Sequence, residues 1–277
     1  MNLQWKRHLN YEKIFGVIGS PIEQSLSPVL HNFGFQSHNL PYVYFKWEIP
    51  KHKIAELIVS VKTLKIGGLS VTIPLKEIII PYLDELTEDA RLVGAVNHIF
   101  WKEDRLIGNN TDVYGFITPI KDLSIESAVV LGTGGAALSA IVGLLRLGVE
   151  QIYVVGRNEE RLSLLKKRFK IKKIVKWESR IEISADMLIN ATPIGMKGKM
   201  VNQSPYPVDK LKNFRYVYDI VYNPEETILI QGAKRQGLKT ISGIYMFVYQ
   251  GLKQFEIWTN KQIAFDSALS LVREYLQ

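Results

Sequence analysis

The sequence predicts an α/β protein built on parallel sheet, and three observations predict it. Short apolar runs of strand length recur at 127–131, 152–155, 174–176, 187–190 and 216–221, with helical patterns between several of them. That is the strand–helix–strand rhythm of a parallel sheet. The first of these strands, Ser127-Ala128-Val129-Val130-Leu131, runs straight into Gly132-Thr133-Gly134-Gly135-Ala136-Ala137 and then an apolar helical stretch to Leu147. Upstream of it, strands and helices also alternate, so the more than one hundred residues before it hold enough pattern for a unit of their own.

The upstream elements follow in order. Residues 14–19 read as a short strand ending in glycine. Ser27-Pro28 reads as an N-cap with proline at the first helical position, opening a helix to about Asn39. Residues 42–49 alternate as a strand, and 51–64 form an amphipathic helix. Gly67-Gly68 leads into a strand over 69–73, which Pro74 stops. Residues 76–82 read as a short helix. A helix over 88–93 closes on Gly94, and 96–101 with 105–108 form a hairpin around Lys102-Glu103-Asp104. Thr111-Asp112 caps the next helix, which carries the chain to the glycine turn. From Gly243 onward the chain reads as helix almost throughout.

Composition narrows the function classes. The chain has 277 residues, a length that suggests two domains, with 47% hydrophobic and 22% charged residues, as in ordinary globular proteins. It contains no cysteine, which excludes disulfides, thiolate metal sites and a cysteine nucleophile and favours a reducing cytoplasm. Met1 to His8 has no apolar core, so no signal peptide is expected. No run of about 18 apolar residues is present, so no membrane helix is expected. The net charge of +8 gathers largely in Lys166-Lys167-Arg168-Phe169-Lys170-Ile171-Lys172-Lys173. This run reads as a solvated helix end, with no nucleic-acid module beside it. His8, His31, His38, His52 and His98 show no metal-ligand spacing, so no metal is expected.

The glycine turn carries chemistry. Gly132, Gly134 and Ala137 fit G-x-G-x-x-A between a strand and a helix. Gly132 permits the turn, Gly134 lets backbone approach a pyrophosphate, and Ala137 lets helix and strand pack closely. The helix N-terminus adds free N–H groups and a positive dipole end. Dinucleotide folds commonly place an acid on the ribose 2′-hydroxyl about 20 residues later. Here the strand at 152–155 ends in Gly156-Arg157-Asn158, with Arg161 one turn on. Two guanidinium groups suit a 2′-phosphate, which points to NADP over NAD, although Glu159 and Glu160 stand beside them. For the acid/base of a dehydrogenase, Lys76 just past a buried strand and Asp112 at the domain joint are the candidates.

Several segments together resemble the shikimate dehydrogenase family. They are Ser25-Leu26-Ser27-Pro28 with His31-Asn32, Val71-Thr72-Ile73-Pro74-Leu75-Lys76, Gly94-Ala95-Val96-Asn97 and Asn110-Thr111-Asp112. Gly132-Thr133-Gly134-Gly135-Ala136, Asn190-Ala191-Thr192-Pro193-Ile194-Gly195-Met196, Tyr222-Asn223-Pro224 and Gln250-Gly251 complete the series, in the family's order over nearly the whole chain. The resemblance implies an α/β substrate-binding catalytic domain of residues 1–112 and 244–277, with the C-terminal helices returning to it. A Rossmann NADP-binding domain of residues 113–243 lies between.

It implies reversible, NADPH-dependent reduction of 3-dehydroshikimate to shikimate, a step in aromatic amino-acid biosynthesis. The implied partners are this small-molecule substrate, with no nucleic acid or membrane and with a homodimer left open. By the same resemblance, Ser25 and Ser27 hold the substrate carboxylate, and Thr72, Asn97 and Gln250 read ring hydroxyls. Lys76 and Asp112 form the catalytic pair, and Tyr222 lines the cleft. The implied cofactor set is Gly132, Gly134, Gly135, Ala136, Arg157, Asn158, Arg161, Thr192, Gly243 and Met246.

The sequence departs from the family pattern in places. Ser70 stands where the family carries an Asn that contacts a ring hydroxyl, and at that position it belongs to the implied substrate-binding set; His98 replaces a Thr after Asn97, and Gly156-Arg157-Asn158 replaces Asn-Arg-Thr. Ser70 raises quinate or aminoshikimate dehydrogenation as an alternative. Quinate-preferring members tend to replace one carboxylate serine with threonine, and both serines are kept here. A non-catalytic nucleotide-binding regulator is expected to lose Lys76 and Asp112, and both are present. A tetrahydrofolate dehydrogenase carries Tyr-x-x-x-Lys, and Thr72 occupies that tyrosine position. Turnover with NADPH set against NADH tests the reading of Arg157 and Arg161: a clear preference for NADPH is expected, and a preference for NADH overturns it.

Overall fold

The computed structural model describes residues 11–169, 171 and 173–276, so the leader reading over Met1–His8, and Lys170 and Lys172 of the basic run, lie outside the described residues. Two compact units are formed, one by residues 11–111 with 251–275 and the other by residues 112–250. Each has its own six-stranded sheet.

The first unit contains β1 (Lys13–Gly19), α1 (Ser27–Ser37), β2 (Tyr42–Glu48), α2 (Ile54–Thr63), β3 (Gly68–Val71), β4 (Glu85–Leu86), α3 (Glu88–Val93), β5 (His98–Lys102) and β6 (Arg105–Asn109). Its strand order is β2-β1-β3-β5-β6-β4. β1 pairs in parallel with β2 and β3, and β5 pairs antiparallel with β3 and β6. The two-residue alternation of a strand divides β1 between two cores. Phe15 and Val17 join Phe35, Tyr44 and Phe255, while Ile18 joins Leu69, Val71, Ile99 and the apolar face of α2.

The second unit contains α4 (Asp112–Ile117), β7 (Ser127–Leu131), α5 (Gly135–Arg146), β8 (Gln151–Gly156), α6 (Glu159–Phe169), β9 (Lys173–Lys176), β10 (Met187–Asn190), β11 (Tyr216–Asp219), α7 (Ile228–Arg235) and β12 (Lys239–Ser242). The all-parallel order is β12-β11-β10-β7-β8-β9. This is the doubly wound order in which the chain reverses direction across the sheet beside its first strand. β7, β10 and β11 are buried on both faces, which is why they read as unbroken apolar runs rather than alternating ones. α8 (Gly243–Thr259) begins in this unit and ends in the first, and α9 (Phe265–Leu276) follows it.

Several local expectations change. Ser27 does not cap α1. Leu26 occupies the cap position without a side-chain bond, and Ser27 is the first helical residue with Pro28 beside it. Residues 76–82 form turns that tighten into a 3-10 turn only at Ile80–Tyr82, because Pro81 has no N–H for a continuing helix. The 51–64 helix opens as a 3-10 turn over Lys51–Lys53 before α2 begins. The hairpin strand starts at His98 rather than Val96. The short strands β4 and β12 lie at sheet edges, where partial exposure weakens the apolar signal.

Two features fix the frame around the strand ends. In the first unit, Trp258 from α8 lies flat against β3 at Gly68 and donates its indole N–H to the Ile99 carbonyl at 3.0 Å. In the second, the Asp219 carboxylate at the end of β11 accepts the Asn190 amide at 2.8 Å, the Thr227 hydroxyl at 2.6 Å and the Val221 N–H at 3.1 Å. Burial pushes the Asp219 carboxyl up to about 6 despite those three bonds.

A Cβ on Gly68 meets the Trp258 Nε1 at 2.1 Å and the Ile99 carbonyl oxygen at 2.8 Å. Gly68→Ala is therefore expected to cost about 3 kcal/mol by overpacking and loss of the indole bond. Urea unfolding checks this, and a cost under about 1 kcal/mol refutes it. Because Asp219 binds its proton more tightly when folded, its contribution is complete below the unfolded carboxyl range and disappears as pH rises through about 6. Relative to Asp219→Asn, the wild type is expected to lose about 2 kcal/mol between pH 4 and pH 7. Parallel denaturation curves for the two proteins at both pH values contradict it.

Candidate active site

In the first unit the sequence-predicted polar residues collect where β1 and β3 end. The Ser25 hydroxyl accepts the Ser27 backbone N–H at 3.4 Å and donates to the Ser27 hydroxyl at 3.3 Å. So Ser25, rather than Ser27, satisfies an N–H at the start of α1, and the Ser27 hydroxyl is left to face other partners. Thr72 follows β3 and is held by its N–H to the Ile18 carbonyl at 2.9 Å. The Lys76 carbonyl accepts the Val96 N–H at 2.8 Å, which ties the lysine turn to the segment carrying Asn97. Asn97 is buried. Its side chain accepts the Thr111 N–H at 2.7 Å and donates to the Thr111 hydroxyl at 3.0 Å. Ser70 is buried on β3, with its hydroxyl bonded to Tyr44 and Gln254.

Tyr44 and Gln254 were not singled out from the sequence. Gln254 follows Gln250 by one helical turn on α8, and that spacing on a common face was the available signal. Burial holds the Tyr44 phenol well above its ordinary value, outweighing its hydrogen bonds to Ser70 and Ser27. Beneath it, His31 stacks on the Tyr44 ring at 4.5 Å, and burial lowers the imidazole to about 3. His98 is likewise buried and held well below its usual range, first by burial and then by His31. Both imidazoles are neutral wherever the protein is folded near neutral pH, so the wall beneath the site carries no cation. His38 bonds the Gln262 carbonyl, His52 is exposed, and His8 lies outside the described residues.

In the second unit, a further group collects around the start of α8. Asp112 is buried as the first residue of α4. A Cβ on Gly115 of the same helix meets the Met246 carbonyl oxygen at 2.6 Å and the Gln250 Cβ at 2.9 Å, so α4 lies hard against α8 between those two residues. The Gln250 side chain donates to the Phe247 carbonyl at 2.9 Å. Tyr222 stacks on Phe247 at 4.6 Å, and burial pushes its phenol up to about 12. Gly243 opens α8 with its backbone pressed on the Ile220 carbonyl.

The residues that the sequence predicts for nucleotide binding stand at the carboxyl ends of the parallel strands. Gly132 adopts φ +119°, a conformation for glycine, and turns the chain from β7 into α5. Gly134 is the N-cap of α5, and a Cβ there meets nothing within 4 Å, so a phosphate group can approach the backbone. Gly135 and Ala136 form the first turn of α5, whose N–H groups suit that anion, and Ala137 is fully buried.

At the end of β8, the Asn158 side chain accepts the Arg161 N–H at 2.9 Å and caps α6. This cap sets Arg157 before the helix and Arg161 in its first turn, both exposed. Glu159, which stood as a rival ribose ligand, pairs with Lys176 at 2.7 Å, and that partner holds its carboxyl below the usual range. Thr192 is locked by its hydroxyl and N–H to the Asn190 side chain at 2.7 and 3.0 Å. A neutral backbone cradle with two guanidinium groups beside it fits a dinucleotide bearing an extra phosphate. Among the described residues, no group of three or more His, Asp or Glu can hold a metal ion, and no helix is long and apolar enough to cross a membrane.

Known proteins resemble this chain over nearly its whole length. The model of the shikimate dehydrogenase substrate binding domain matches residues 17–99, and that of the shikimate 5'-dehydrogenase C-terminal domain matches residues 243–272. A shikimate dehydrogenase (NADP(+)) from Maridesulfovibrio salexigens is 40% identical over 96% of this chain and 98% of its own length. One from Pelobacter propionicus is 40% identical over 90% and 92%. The crystal structure of shikimate 5-dehydrogenase from Thermus thermophilus, in complex with NADP(H) and shikimate, aligns with a TM-score of 0.85 at 32% identity, covering 95% of this chain and 99% of that one. With identity at this level sustained over almost its entire length, the chain belongs to the shikimate dehydrogenase family.

Proposed function

We propose that this protein reversibly reduces 3-dehydroshikimate to shikimate with NADPH, in the route to the aromatic amino acids. The observation that carries it is the joint presence, at the strand ends of two units, of a hydroxyl-rich polar wall and a glycine cradle flanked by Arg157 and Arg161. Residues 1–112 with 244–277 act as the substrate-binding catalytic domain and residues 113–243 as the Rossmann NADP-binding domain. The compact units at 11–111 with 251–275 and at 112–250 support this division.

The residues divide the work by their chemistry. Ser25 and Ser27 donate to the substrate carboxylate, which hydroxyls satisfy without a buried cation. Thr72, Asn97 and Gln250 read the ring hydroxyls, with Ser70 behind them. Lys76 delivers a proton to the carbonyl oxygen that becomes a hydroxyl, and takes it back in the reverse direction. Asp112 orients the ammonium, and Tyr222 serves the substrate.

Gly132, Gly134, Gly135 and Ala136 hold the pyrophosphate of the cofactor, with Thr192, Gly243 and Met246 toward its nicotinamide end. Arg157, Asn158 and Arg161 hold the 2′-phosphate. When bound, NADPH supplies the hydride. A quinate- or aminoshikimate-type substrate is the second reading, motivated by Ser70, and the retention of both Ser25 and Ser27 favours shikimate. A cytoplasmic setting, supported by the absence of cysteine, and a homodimer are proposed alongside; the molar mass in solution reads the latter.

Lys76→Ala is expected to cut kcat by about 10²- to 10⁴-fold, the usual worth of a positioned acid/base, while shikimate still binds. Steady-state kinetics with a parallel binding titration checks this. Turnover within a few-fold of wild type removes Lys76 from the role.

A further inference from the structure

A chain of hydrogen bonds crosses the first unit from Tyr44 to Asn97, with the serine pair beside its Tyr44 end. Ser25 donates to Ser27 at 3.3 Å, and the Ser27 side chain lies beside the Tyr44 phenol. The Tyr44 hydroxyl donates to Ser70 Oγ at 2.6 Å, and Ser70 donates to Gln254 Oε1. The Gln254 amide donates to the Thr111 hydroxyl at 3.1 Å and to the Asn97 backbone carbonyl at 3.4 Å. Thr111 in turn grips the Asn97 side chain.

The direction of this chain is fixed from one end. A backbone carbonyl only accepts, so the Gln254 NH₂ faces Asn97 and its Oε1 faces Ser70. Ser70 has one proton, and it goes to Oε1. Its oxygen then accepts from Tyr44, and the phenol oxygen is left as an acceptor toward Ser27. Tyr44, Ser70, Asn97, Thr111 and Gln254 are all nearly inaccessible to solvent. The Tyr44 ring is clamped by His31 at 4.5 Å and Trp258 at 6.0 Å, so its hydroxyl has little freedom to follow a moving partner. Three elements distant in sequence, β2, β3 and α8, are therefore joined as one rigid bar, with Ser70 and Gln254 184 residues apart.

We propose that Tyr44 and Gln254 are positioning residues of the substrate site, joined through Ser70 so that Ser27 and Asn97 are set as a coupled pair. Ser70 acts in this chain as a relay inside the protein. The substrate carboxylate at the Ser27 end and a ring hydroxyl at the Asn97 end are then read at a fixed separation. This rests on the substrate roles given to Ser27 and Asn97 above.

The test is a double-mutant cycle on substrate KM. Tyr44→Phe and Ser70→Ala are each expected to raise the KM for 3-dehydroshikimate about five- to tenfold, the worth of one internal hydrogen bond, and to leave the KM for NADPH within about twofold. The double variant is expected to be no worse than the poorer single one, because both remove the same relay. Effects that multiply in the double variant overturn the proposal, as does an equal rise in the KM for NADPH. If Tyr44→Phe does not fold, Gln254→Met with Ser70→Ala runs the same cycle from the other end, and the same outcomes decide. Titration of shikimate against intrinsic tryptophan fluorescence gives a binding readout free of turnover. A wild type that neither binds shikimate nor reduces 3-dehydroshikimate overturns the function and this proposal together; normal wild-type turnover with multiplying effects overturns the proposal alone.

Discussion

The first unit closes on a single indole. Trp258 lies within 5.1 Å of Phe15, 5.0 Å of His31 and 4.8 Å of His98, ring centre to ring centre, while its N–H holds the carbonyl of Ile99. An indole buries a large apolar surface and still needs one acceptor, and β5 supplies it. Three features of the first unit depend on that packing. His31 is neutral because it is enclosed, Tyr44 is immobile because His31 and Trp258 hold its ring, and Gln254 reaches Ser70 because it lies one turn before Trp258 on the same helix.

The two units solve different recognition problems with different parts of the chain. The second presents backbone: a glycine turn at φ +119°, a helix start with open space over Gly134, and a side-chain bracket of Asn190, Asp219 and Thr227 that anchors the loops after β10 and β11. Backbone N–H groups suit a pyrophosphate because they are fixed donors with no rotamers to order. The first presents hydroxyls and amides, whose direction can be set by their neighbours. A network of neutral groups tolerates burial only when each member is satisfied, and the chain from Tyr44 to Asn97 meets that condition link by link.

Legibility in the sequence followed the range of the forces involved. The glycine turn, the buried strands β7, β10 and β11, and the helix closing at Gly94 are local patterns and read directly. The phosphate role proposed for the arginines after β8 rests on charge type and spacing. Ser27 was misread as a cap, because whether Ser25 or Ser27 serves the helix start depends on a turn that sequence does not encode simply. The 76–82 turn failed where Pro81 overrode an apolar periodicity. Tyr44 and Gln254 were missed for a deeper reason. A buried tyrosine on a strand and a glutamine on a helix are unremarkable alone, and their pairing through Ser70 exists only once residues 184 apart are brought together.

The path of the chain through the two units also orders their completion during synthesis. The second unit is continuous, from 112 to 250, and all six strands of its sheet have been made when residue 250 leaves the ribosome. The first unit begins earlier and finishes later. Its six strands are made by residue 109, yet Gln254, Phe255 and Trp258 are still untranslated, and Phe15, His31, Tyr44 and His98 lack the partners that cover them. Domains generally fold as units in the order they emerge. In this chain the nucleotide half is the one that can assemble from a contiguous stretch, and the half holding the substrate wall waits for the last helices.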